Sequence, residues 1–77
     1  MSSDEYDIEI EKVGKHIKKL RVDAGYTSYA TFANDNDIEP KQYWRLESGY
    51  DFRLSTLLRL LDIHNITLKE FVDGIEE

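Results

Sequence analysis

The chain has 77 residues, 40% hydrophobic and 34% charged, with no cysteine and a formal net charge of −6. That length argues for one domain with a small core, leaving little room for an enzyme with a deep pocket. The lack of cysteine excludes disulfides and thiolate metal sites and points to a reducing, cytoplasmic setting.

The first residues, Met1-Ser2-Ser3-Asp4-Glu5, carry no apolar stretch of the kind a secretory signal needs. Residues 1–9 read as an acidic N-terminal segment, placed to shield the basic face that follows. A first helix is expected near 7–24. Ile10, Val13, Ile17 and Leu20 recur at spacings of three and four, with Lys12, Lys15, Lys18 and Lys19 around them. Those lysines read first as a solvated helix face. Gly14 interrupts the helix at a cost of about 1 kcal/mol relative to alanine, which a close helix contact would justify. Gly25 is a left-handed C-terminal cap.

Thr27 and Ser28 are N-cap candidates for a second helix near 29–36, with Phe32 and Ala33 turned inward. Asn34-Asp35-Asn36-Asp37 is a turn cluster of residues that tolerate positive φ. Pro40 suits the first position of a third helix near 40–48. Tyr43 and Leu46 lie on its inner side. A fourth helix is expected near 54–64, with Leu54, Leu57, Leu58 and Leu61 as its buried stripe and Leu60 and Ile63 widening it. The apolar run at 57–61 is broken by Arg59 and is too short to span a bilayer, so no membrane contact is expected. Thr67 and Glu70 form a capping box that opens a fifth helix near 67–73, followed by an acidic tail at 74–77. The domain is therefore bounded at 10–73, and no strand pattern occurs.

Function concentrates between residues 28 and 48. Two short helices crossing steeply need a small residue at the contact, a left-handed residue in the turn and an apolar pin after it. Ala33, Asp37 and Ile38 stand in that order. Burying Tyr43 and Leu46 leaves Lys41, Gln42, Trp44 and Arg45 outward on a helix that fits a major groove.

The chain resembles the Cro/Xre phage-repressor family of helix-turn-helix proteins from about Val13 to Phe71. The resemblance is carried by Leu20-Arg21, Gly25-Tyr26-Thr27, Phe32-Ala33, Tyr43-Trp44-Arg45-Leu46-Glu47-Ser48-Gly49, Leu57-Leu58-Arg59-Leu60-Leu61 and Ile66-Thr67-Leu68-Lys69-Glu70-Phe71. It implies an all-α, five-helix lambda-repressor-like domain that binds double-stranded DNA as a transcriptional regulator, with the third helix in the major groove. It implies base reading by Lys41, Trp44 and Arg45, with Gln42 close by. It implies phosphate contacts by Thr27, Ser28 and Ser48, an Arg21–Glu47 salt bridge between the first and third helices, and a homodimer on paired half-sites. Tyr29, Tyr50 and Arg53 join the phosphate candidates by position, with a plain loop as the other reading for Tyr50 and Arg53.

The chain departs from the family in carrying one extra residue between Thr27 and Phe32, Asn36 at an apolar position, Asp37 for the turn glycine and Glu39 for the usual Ser or Thr cap. The acidic balance makes non-specific phosphate attraction weak. It also supports a second reading on the same fold: a protein-interaction module, such as an antitoxin-like partner protein, anchored by an exposed Trp44. His16 and His64 lack metal-ligand spacing, and Ser28, Ser48 and Ser55 lack a histidine-and-acid set. No catalytic residue, metal or cofactor is expected.

Overall fold

The helices of this chain are written as apolar arcs, the first four closed by a residue that reverses the backbone. In the computed structural model, which describes residues 4–75, the helices are α1 (Asp4–Asp23), α2 (Tyr29–Asp35), α3 (Pro40–Glu47), α4 (Leu54–Ile63) and α5 (Leu68–Ile75). No strand occurs among the described residues, and no described helix is long and apolar enough to cross a membrane.

The core draws Ile17 from α1, Phe32 and Ala33 from α2, Tyr43 and Leu46 from α3, Leu57, Leu60 and Leu61 from α4, and Phe71 from α5. Val13, Leu20, Ile38, Ile63, Ile66 and Ile75 pack around it. Gly14 sits where α1 meets the end of α3. A Cβ there would lie 2.8 Å from the Glu47 carbonyl oxygen and 2.9 Å from that of Leu46. The missing side chain lets the two backbones touch, which offsets the helix-propensity cost.

Four helices end alike. Gly25 (φ 96°), Asp37 (58°), Gly49 (87°) and Asn65 (58°) each take the left-handed backbone. The following residue then donates its N–H to the carbonyl five positions back: Tyr26 to Arg21 (3.2 Å), Ile38 to Ala33 (2.8 Å), Tyr50 to Arg45 (3.2 Å) and Ile66 to Leu61 (3.1 Å). This closure satisfies a carbonyl that the helix end would otherwise leave open. At α5 the capping box forms in both directions: Thr67 Oγ1 accepts the Glu70 N–H (3.1 Å) and Glu70 Oε1 accepts the Thr67 N–H (2.8 Å).

The sequence expectations need four corrections. First, α1 begins at Asp4, three residues before the expected start. Second, α5 reaches Ile75, two residues past the expected end, and Ile75 packs on the core. Gly74 lies against His16: a Cβ there would stand 2.7 Å from Nε2. Third, Leu54 and Leu58 are 61% and 45% exposed, and the buried side of α4 is Leu57, Leu60 and Leu61. The leucine arc is wider than its neighbours cover. Fourth, α2, α3 and α4 each stop one residue short of the expected end, and Thr67 caps α5 from outside it. Met1, Ser2, Ser3, Glu76 and Glu77, expected in the acidic ends, lie outside the described residues.

Candidate nucleic-acid interface

The site is built from α2, the turn after it and α3. Ser28 caps α2 by accepting the Thr31 N–H on Oγ (3.2 Å). Phe32 and Ala33 are buried where α2 meets α3, and alanine lets the helices approach. The turn is closed from several sides. Asn36 donates its side-chain amide to the Phe32 carbonyl (2.8 Å), which gives that polar group a partner. Arg59 reaches across from α4 and donates Nη2 to the carbonyls of Asn36 (3.3 Å) and Asp37 (3.1 Å). Charge-assisted bonds of this kind are stronger than neutral ones.

Glu39 caps α3. Its Oε1 accepts the Gln42 N–H at 2.9 Å, and Pro40 opens the helix where an N–H would lack a partner. The Glu39 carboxylate is thus held at the helix N-terminus, where negative charge is favourable. Tyr43 and Leu46 are buried, while Lys41, Gln42, Trp44 and Arg45 are exposed on the opposite side. A short helix therefore offers one amide, one indole and two cations on a single solvent-facing surface.

Arg21 and Glu47 join α1 to α3. Arg21 Nε donates to Glu47 Oε2 at 2.7 Å and Nη2 to Oε1 at 3.1 Å, while Nη1 donates to the Tyr26 carbonyl at 2.9 Å. The two side chains are only 5% and 8% exposed. The hydrogen bond to Glu47 raises the Arg21 pKa further above its ordinary value, so the guanidinium stays charged. The Tyr43 hydroxyl is buried close by without a hydrogen bond of good geometry. Burial, then the Glu47 carboxylate, pushes its pKa up, so it stays neutral.

The other sequence candidates surround α3 but do not all converge. Thr27, Ser28 and Tyr29 are exposed at the start of α2. Ser48 is the exposed C-cap of α3, donating its N–H to the Trp44 carbonyl (3.0 Å). Arg53 precedes α4, and its side chain makes no capping bond. Arg45 and Arg53, with Gln42, Asp51, Phe52 and Thr56, line an open groove of about 410 Å³ between α3 and the start of α4. Tyr50 lies at the end of α3. The Arg45 guanidinium stands 4.6 Å from its ring centre, and the Trp44 ring 5.8 Å away. Arg45 is therefore stacked on a ring rather than paired with an acid, and Trp44 leans on Tyr50.

Sequence reasoning missed the clasp made by Arg59 and the cap bond made by Glu39; it reads His64 as a partly buried structural histidine. Arg59 was visible only as an interruption of an apolar run. Glu39 stands at the cap position, and its carboxylate, three residues before Gln42, makes the cap bond itself. His64 stacks flat on Phe32, with centroids 5.2 Å apart and planes 6° from parallel. Its Nε2 is buried without a hydrogen bond, and burial lowers its pKa. His16 meets Phe71 edge-on at 4.9 Å. Among the described residues no group of three or more His, Cys, Asp or Glu could hold a metal ion. Comparison with models of known families, with characterised proteins and with solved structures gives no match to this chain.

Proposed function

We propose that this chain is a sequence-specific DNA-binding regulator of the Cro/Xre, lambda-repressor-like helix-turn-helix type, acting in the cytoplasm. One observation carries the reading. The α2–α3 pair has buried Ala33 at its contact and left-handed Asp37 in its turn. That arrangement leaves Lys41, Gln42, Trp44 and Arg45 together on the free side of α3. A helix presented this way enters the major groove, where arginine forks onto guanine and glutamine onto adenine. Thr27, Ser28, Tyr29, Ser48 and Arg53, which flank α3 in the chain, are the phosphate-contact candidates; Tyr50, the sixth by sequence, is engaged by Arg45 instead. The net charge of −6 leaves little non-specific attraction, so affinity rests on specific contacts.

Selection of bound sites from a random duplex library tests this, with the Lys41→Ala, Arg45→Ala double variant beside the wild type. The expected result is a defined motif that the double variant loses. Equal enrichment by both proteins sinks the mechanism.

The exposed pair Trp44 and Tyr50, 41% and 45% accessible, favours one second reading: a protein-interaction module on the same fold. Absence of any enriched duplex at low salt, with a stoichiometric protein partner covering Trp44, selects that reading.

A further inference from the structure

We propose that Tyr50 is a positioning residue that sets base specificity by holding Arg45 extended over its ring. This rests on the DNA-reading role of α3 given above.

The argument starts from the repeated helix closure. Tyr26, Ile38 and Ile66 each follow a left-handed residue, and each then packs against the core. Tyr50 follows left-handed Gly49 with the same backbone bond, yet stays 45% exposed. Its ring lies back along the last turn of α3, under Arg45 and beside Trp44. The ring adds nothing to the buried core at this position. What the ring does contact is two of the four side chains on the free surface of α3.

A guanidinium lying over an aromatic ring keeps its N–H edge open for in-plane hydrogen bonds. That edge is what forks onto guanine O6 and N7. Holding it in one place before binding reduces the rotamer entropy lost on docking. The ring also settles a competition. Asp51 lines the same groove as Arg45; its Oδ1 accepts the Phe52 N–H at 2.9 Å, and it is not among the ion pairs of the described residues. Without the ring, Arg45 is free to turn toward Asp51 and hide its donor edge.

The test is the same library selection run on wild type, Tyr50→Phe, Tyr50→Ala and the Tyr50→Ala, Asp51→Asn double variant. Thermal unfolding is followed in parallel to confirm that each folds. Phenylalanine keeps the ring and loses only the hydroxyl, so Tyr50→Phe is expected to enrich the wild-type motif. Tyr50→Ala is expected to lose roughly three- to tenfold in preference at one guanine, the range a cation–π contact supplies. Other positions of the motif should hold, and Asp51→Asn should restore part of the loss. A Tyr50→Ala motif unchanged at every position overturns this inference and leaves the DNA reading standing. A loss spread evenly over all positions, or already present in Tyr50→Phe, also overturns it, because Tyr50 then serves as a phosphate contact. A wild type that enriches no motif overturns both readings.

Discussion

The turn from α2 to α3 and the turn from α3 to α4 close with the same backbone hydrogen bond, but they send the next side chain to opposite places. After Asp37, Ile38 packs on the core, and Arg59 ties the turn to α4. After Gly49, Tyr50 lies on the surface against Arg45 and Trp44. The closing geometry is thus a neutral device. The residue placed after it decides whether the turn serves the core or the free face of α3. The first turn fixes the angle of α3, and the second shapes what α3 displays.

Substitutions separate the two turns by size of effect. Ile38→Ala removes packing at the first turn and is expected to cost about 2 kcal/mol in denaturant unfolding, below a fully buried site because Ile38 is only partly covered. An unchanged midpoint would mean that Ile38 is not a pin. Gly49→Ala forces a Cβ onto the left-handed backbone, where it also meets Glu11 Cγ at 3.1 Å. A loss of roughly 1–2 kcal/mol is expected in the same assay.

Acid offers a way to loosen the first region without touching the second. His64 is stacked on Phe32, and burial lowers its pKa in the folded chain below the ordinary 6.5. The unfolded chain therefore takes up a proton that the folded chain resists. Stability should be full above that value and fall as the pH drops below it. His64→Phe should flatten this part of the melting-temperature profile, and an identical slope in the variant would exclude His64 as its source.

Smaller effects sharpen the contrast. Asp37→Gly relieves a left-handed non-glycine residue and should stabilise by up to about 1 kcal/mol, offset by the extra entropy of the unfolded chain. Tyr50→Ala should change stability by no more than about 0.5 kcal/mol, as exposed positions do. A larger loss would place Tyr50 with the core residues and remove the distinction between the turns.

Local chemistry made much of this fold readable. Gly25, Asp37 and the Thr67–Glu70 box each act over a few residues, so their roles follow from neighbours in the chain. The exposed face of α3 was readable for a related reason: burying Tyr43 and Leu46 leaves only one side free. Where long-range partners decide, the sequence was silent. Leu54 and Leu58 carry the same apolar signal as Leu57 and Leu61, and only the packing of the other helices chooses between them. The Arg59 clasp spans 22 and 23 positions, and no pattern announces it. Tyr50 was visible as an aromatic after the helix, but its contact with Arg45 depends on how the Gly49 closure aims it.

The Arg59 clasp also bears on motion. Its hydrogen bonds end on carbonyls of the turn itself, so opening the turn while α4 stays docked breaks both of them. α2, α3 and α4 are therefore expected to exchange their protected amides together, with the angle between α2 and α3 carried as one corner. A partner that meets α3 meets a surface already set, and pays no ordering cost for the hinge beneath it.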